Sequence, residues 1–188
     1  MKKIMLLALA SMLTVCSSAQ KIVWDKTESD GFRSIATSKT ICSSGEKKDV
    51  SISLDASTFP EMKDTSLYLS FYVQTYSECS VPKGGKLLVK LFDDSVIELS
   101  TPISYEDNIG SFYSGYVVRT FRIYPRYKVS EEQVDKIISF GVKKLRMELF
   151  PSNYDKEFTE DKIGKSFSVT YPLIKKALNE KKTFSDGF

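Results

Sequence analysis

The sequence predicts a mainly β chain folded as an antiparallel β-sandwich of about eight or nine strands, with one well-capped helix over residues 130–140 and room for a short helix near the C-terminus. Three observations lead there. Short runs of two-residue alternation between apolar and polar side chains recur along the chain, turn-forming residues separate them, and a single stretch carries both a helix start and a helix stop. In that stretch Ser130 and Gln133 have the spacing of a capping box, and Glu131 and Glu132 place negative charge at the positive helix end. Val134, Ile137, Ile138 and Phe140 supply the expected apolar stripe, and Gly141 stands where a helix stop favours positive φ. Leu145, Met147 and Leu149 then alternate with Lys144, Arg146 and Glu148, the pattern of a strand with one buried face.

The remaining elements follow in chain order. Lys2 and Lys3, the apolar run from Ile4 to Val15 and the small-x-small junction Ser17-Ser18-Ala19 predict a signal peptide over residues 1–19, cleaved before Gln20. The alternative is lipid anchoring through Cys16. No apolar run approaches the ~20 residues of a membrane-spanning helix, and residues 20–188 suit a single domain. Ile22 and Trp24, then Phe32 to Ala36 after the Asp30-Gly31 turn, predict two short strands. Val50, Ile52 and Leu54 alternate with Ser51 and Ser53 in a third. Leu67 to Tyr76 gives the clearest strand, with Leu67, Leu69, Phe71 and Val73 on one face and Tyr68, Ser70, Tyr72, Gln74 and Tyr76 on the other. Lys86 to Phe92 and Val96 to Leu99, joined by Asp93-Asp94-Ser95, read as a hairpin. Residues 104–114 read as a long loop. Val117, Phe121 and Ile123 resume alternation until Pro125, which belongs at a strand end or edge. Residues 151–165 read as a charged loop, Phe167, Val169 and Tyr171 as a last strand, Pro172 to Glu180 as the short helix, and the end from Lys181 as frayed.

The junction Ser17-Ser18-Ala19-Gln20, Asp30-Gly31-Phe32-Arg33, and the run Gly141 to Arg146 after the helix together resemble the small exported β-sandwich proteins of unknown function from gut anaerobic bacteria. The resemblance implies fold and export and brings no active site with it.

Composition narrows the chemistry. The chain contains no histidine, which removes Ser-His-Asp and Cys-His catalysis and imidazole metal sites. No metal and no cofactor is expected. Cleavage after Ala19 would leave 25 basic against 24 acidic residues, so a nucleic-acid partner is not expected. Ser44 to Lys47 and Ser80 to Lys83 match Ser-x-x-Lys at a frequency that chance accounts for. Asn153, Asp155, Glu157 and Asp161 partly mimic a calcium loop, but Phe158 and Gly164 occupy the positions that need glycine and glutamate. The remaining cysteines, Cys42 and Cys79, are an even pair and are expected to be bridged in an oxidising compartment.

The best candidate site is the aromatic stripe of Tyr68, Tyr72 and Tyr76 with Gln74, joined by Arg122, Tyr124 and Arg126 from another strand. Flat rings beside amide and guanidinium groups suit stacking and hydrogen bonding to sugars or extended peptides. The competing expectation is that the helix or a terminal segment covers this face. The function that fits best is an exported, non-catalytic module that binds an extracytoplasmic ligand or protein. The alternatives are a glycan-active hydrolase using paired carboxylates and a purely structural envelope component.

Overall fold

The computed structural model describes residues 20–44, 48–60, 65–106, 108–110 and 120–180. The expected signal peptide with Cys16, Val117, the loop beyond residue 110 and the C-terminal residues from 181 lie outside them. The described chain is mainly β, as its alternating sequence requires. In order it forms β1 (Ile22–Thr27), β2 (Arg33–Thr37), β3 (Thr40–Ser43), β4 (Lys48–Thr58), β5 (Thr65–Thr75), β6 (Ser80–Val81), β7 (Lys86–Leu91), β8 (Val96–Ser100), β9 (Tyr105–Glu106), β10 (Asn108–Gly110), β11 (Thr120–Ile123) and β12 (Arg126–Val129). There follow α1 (Glu131–Phe140), β13 (Val142–Met147), β14 (Tyr154–Glu157) and α2 (Ile163–Asn179).

Two antiparallel sheets carry the architecture. The larger has eight strands in the order β1-β2-β4-β5-β11-β10, with β3 also paired to β4 and β12 to β5. The smaller has the order β14-β13-β7-β8, and β6 and β9 form a third ladder. β4 and β5 are each 11 residues long and pair throughout, from Lys48 opposite Thr75 to Thr58 opposite Thr65. That register puts Val50, Ile52, Leu54 and Ala56 on the same face as Val73, Phe71, Leu69 and Leu67, and all eight are buried. The smaller sheet adds Leu87, Val89, Leu91, Leu145 and Met147 to the same core, so the two sheets share one apolar interior in a β-sandwich-like arrangement.

Each flank of the β4–β5 hairpin is a broken strand. β2 pairs with β4 as far as Ala36 opposite Asp55, and β3 resumes at Thr40 opposite Ile52, leaving Thr37, Ser38 and Lys39 out of the ladder with β4. On the other side β11 ends at Ile123 opposite Val73, and β12 begins at Arg126 opposite Ser70. Tyr124 and Pro125 fill that gap. Proline lacks an N–H to give to the ladder, and here its carbonyl accepts from Phe71 N at 2.9 Å.

α1 forms as its caps dictate: Ser130 Oγ accepts from Gln133 N at 3.1 Å, Gln133 Oε1 accepts from Ser130 N at 2.9 Å, and Gly141 has φ 69°. Its buried residues are Val134 and Ile137. Phe140, expected in the stripe, is instead 47 % exposed, because it lies off the row that runs through residues 134, 137, 138 and 141.

The expected last strand at Phe167, Val169 and Tyr171 is helical and belongs to α2, which begins at Ile163 rather than Pro172. Over the longer window Ile163, Phe167, Thr170, Tyr171, Ile174 and Ala177 recur at three- and four-residue spacing and are buried, whereas Val169 is exposed. The five-residue alternation was a segment of a helical pattern. Pro172 is tolerated inside α2 because it faces solvent, where the Ser168 carbonyl deprived of its partner can meet water. The charged stretch before α2 also contains an unexpected element, β14, whose Tyr154 is buried.

Asp161 ties the two helices together. Its Oδ1 accepts from Val142 N at 3.0 Å and Gly164 N at 2.9 Å, and its Oδ2 accepts from Lys165 N at 2.9 Å. The approach is close enough to demand glycine: a Cβ on Gly164 would lie 2.5 Å from Ile137 O. Asp161 therefore serves a helix start, and Asp155 pairs with Arg146 at 2.7 Å, which accounts for two of the oxygens in the calcium-like series. Among the described residues no cluster of three or more metal-ligating side chains occurs, and no helix is long and apolar enough to cross a membrane.

No disulfide joins Cys42 and Cys79, contrary to expectation. Each is buried in its own surroundings. Cys42 sits on β3 with Sγ 3.7 Å from Thr40 O, and burial pushes its thiol up to about 12. Cys79 precedes β6, next to the bridge between Ser80 and Phe150.

Candidate functional site

The outer face of the large sheet is where the tyrosine stripe lies. Both helices are on the other side: α2 touches residues of the core face, with Thr40 Oγ1 donating to Ser166 Oγ at 2.7 Å and Arg33 Nη2 donating to Ala177 O at 2.8 Å, and α1 packs against α2. The expectation that a helix covers the tyrosines does not hold. Tyr68, Tyr72 and Gln74 are half-buried among their neighbours, and Tyr76 and Tyr124 are exposed.

The β4–β5 register explains the shape of this face. Opposite the core row, β4 presents Ser51, Ser53, Asp55 and Ser57, and β5 presents Ser66, Tyr68, Ser70, Tyr72 and Gln74. β2 adds Ser34 and Ala36. Small side chains down the middle, with Trp24 on one side and Tyr124 on the other, leave a groove of about 310 Å³. This is at the low end of the roughly 300–1,000 Å³ of ligand pockets. Trp24 forms one wall, 49 % exposed, its indole N–H donating to Ser34 Oγ at 2.9 Å. Tyr124 and Lys39 form the opposite rim: Lys39 stands in the break between β2 and β3, beside Ser53 and Leu54, and Tyr124 in the break between β11 and β12, beside Phe71 and Tyr72.

The expected residues fall into three groups. Tyr72, Gln74, Arg122 and Tyr124 come together: Gln74 Oε1 accepts from both Tyr72 Oη and Arg122 Nε, and the Tyr72 and Tyr124 rings lie 5.6 Å apart. Tyr68 is overlaid by the Arg126 guanidinium at 4.1 Å from its centroid. Tyr76 stands beyond the end of β5, and of the expected residues only Tyr124 and Arg126 line the groove itself; Tyr68, Tyr72, Gln74 and Arg122 lie outside its lining. Sequence reasoning missed Trp24, Lys39, Asp55, Ser53 and Ser70. Ser51-x-Ser53-x-Asp55 opposite Tyr68-x-Ser70-x-Tyr72 was a readable pattern of small residues between large ones. Trp24 was placed by alternation with Ile22, which a register shift between the two breaks.

The electrostatics of the floor centre on Asp55. Burial raises its carboxyl above the ordinary range; nearby hydroxyls of Ser70 and Ser53, the Thr37 N–H at 3.3 Å and the charge of Arg126 oppose the rise. Ser70 Oγ is buried and makes no hydrogen bond of good geometry, so it is a neighbour of Asp55 rather than its bonded partner. Arg126 Nε is likewise buried without a protein partner, while its Nη2 donates to Ser57 Oγ at 3.2 Å. Four buried side-chain atoms among the described residues lack partners, and these two both belong to groove residues. Each such group costs about 1–3 kcal/mol if nothing meets it.

Other hollows are built differently. One of about 400 Å³ holds Glu131, Tyr171 and Lys175, but these satisfy each other: Tyr171 Oη donates to Glu131 at 2.8 Å and Lys175 approaches it at 3.5 Å. Another, of about 250 Å³, is flanked by Glu78 and Glu106, both exposed. Comparison with protein-family models, curated proteins and solved structures returned no match, so the site's own chemistry carries the functional argument.

Proposed function

We propose that this chain is an exported, non-catalytic module that binds a glycan outside the cytoplasm in the groove between Trp24 and Tyr124. The observation that carries the reading is the pairing of unsatisfied buried polar atoms, Ser70 Oγ and Arg126 Nε, with exposed aromatic walls in one concavity. A sugar ring offers what both need: hydroxyls for the floor and an apolar face for the rings. Asp55 is the single carboxyl among the described groove residues, whereas glycoside hydrolysis uses two carboxyls flanking the bond, which favours binding over hydrolysis. The export half rests on the sequence features before Gln20.

Trp24 is the chain's one tryptophan and forms a wall of the groove, so intrinsic fluorescence reads occupancy directly. Titration with a panel of soluble oligosaccharides is expected to shift or quench that emission, and Tyr124→Ala to weaken the response without moving the unfolding midpoint. Saturable responses to extended peptides alone would replace the glycan with a peptide ligand. Export is checked by mass spectrometry of protein from its native host, where Gln20 is the expected first residue and a retained Met1 would exclude it.

A further inference from the structure

The charges around the groove narrow the ligand class. Among the described residues two cations line it, Lys39 and Arg126, against one carboxyl, Asp55. Lys39 Nζ lies 4.7 Å from the Tyr72 centroid and 6.0 Å from that of Tyr124. Arg126 lies over Tyr68, and its Nη2 donates to Ser57 Oγ. Among the described residues neither cation has a carboxylate within salt-bridge distance, whereas Arg33, Lys86, Lys90, Lys143 and Arg146 all do. An aromatic face holds a cation without neutralising it, and Asp55 acts on Arg126 only from beyond salt-bridge distance, so both remain able to meet an anion.

We infer, resting on the glycan reading above, that the groove selects an acidic sugar, one whose ring carries a carboxylate. The ring stacks between Trp24 and Tyr124, its carboxylate meets Lys39 and Arg126, and its hydroxyls reach Ser53, Ser70 and Asp55. A neutral sugar would satisfy the walls and the floor but leave Lys39 without an anion and Arg126 with Asp55 alone. Charge complementarity of this kind also predicts sensitivity to salt, since Lys39 is exposed at the rim.

The test compares trigalacturonic acid with its fully methyl-esterified form, which keeps ring and linkage and removes the charge, by Trp24 fluorescence. The acid is expected to bind about tenfold or more tightly than the ester, to weaken as salt rises, and to lose about tenfold on Lys39→Gln, the scale of a hydrogen bond to a charged group. Arg126→Gln, checked for an unchanged unfolding midpoint, is expected to act in the same direction. Equal binding of acid and ester, or a Lys39→Gln protein that binds the acid as well as the parent, would overturn the acidic preference and leave the glycan reading standing. An equal response to polyglutamate would overturn it by showing that charge alone is read. No response to acid or ester, with none across the oligosaccharide panel, would overturn both.

Discussion

Removing the Asp161 side chain tests whether one carboxylate holds the two helices at their junction. Asp161→Ala deletes three acceptor contacts, to Val142 N, Gly164 N and Lys165 N. The two bonds in the first turn of α2 act as an N-cap, whose loss costs about 1 kcal/mol within a range of roughly 0.5–2. Val142 is 1 % exposed, so its N–H is left in a place water reaches poorly, at about 1–3 kcal/mol. Together the expected loss is about 2–4 kcal/mol. With a urea slope of about 1–3 kcal/mol/M, the midpoint should fall by roughly 1–2 M. Asp161→Asn keeps one acceptor oxygen and should fall between. The control is Asp155→Ala, which removes exposed contacts to Arg146 at 2.7 Å and Lys144 at 4.0 Å and should change stability by no more than about 1 kcal/mol. An Asp161→Ala midpoint indistinguishable from that of Asp155→Ala would refute the clamp, and with it the account of why α2 starts at Ile163.

Two further outcomes follow from buried charge. Arg33 and Asp25 are paired at 2.8 Å with side chains 8 % and 9 % exposed, and Arg33 also donates to Glu180 O at 2.7 Å and Ala177 O at 2.8 Å at the C-terminal end of α2. Arg33→Met removes the cation from a buried carboxylate and from the helix end, and should cost about 3–5 kcal/mol, part of which a double Arg33→Met, Asp25→Leu variant recovers in a mutant cycle. The second outcome concerns alkaline pH. Burial raises the Cys42 thiol from 9.0 to about 12 and the Tyr154 hydroxyl from 10.0 to about 12. These acids ionise first in the unfolded chain, so the folded state holds more protons over that interval. Stability from them is intact below about pH 9 and is lost as pH rises from 9 toward 12. At 1.36 kcal/mol per unit the Cys42 contribution approaches about 4 kcal/mol. Melting temperatures across that range should fall less steeply in Cys42→Ala than in the parent, and parallel curves would argue against it.

Much of the fold was legible because it is written locally. The capping box of Ser130 and Gln133, the Asp93-Asp94-Ser95 hairpin and the alternation through Leu67 to Val73 each need only a few consecutive residues, and each forms where the sequence places it. α2 was misread because five residues of a helix with Phe167, Val169 and Tyr171 also satisfy a period of two; the longer stripe from Ile163 to Ala177 decides between them. The disulfide expectation rested on an even cysteine count and an expected oxidising compartment, and neither brings two side chains together.

What the sequence by itself determined is the alternation that gives this chain a β fold with one polar, aromatic sheet face, together with the absence of histidine that removes imidazole chemistry. Tertiary structure alone decided that this face is a groove. Its walls and rim come from Trp24, Lys39 and Tyr124, which stand together because the breaks at Ser38–Lys39 and Tyr124–Pro125 flank neighbouring rungs of the β4–β5 ladder, from Leu54 opposite Leu69 to Ser51 opposite Tyr72. No local pattern encodes that alignment. It is fixed by the register of strands far apart in the chain, and register is set when one face of the hairpin is buried, since a slip of one residue would turn Leu54 and Leu69 outward and Asp55 inward.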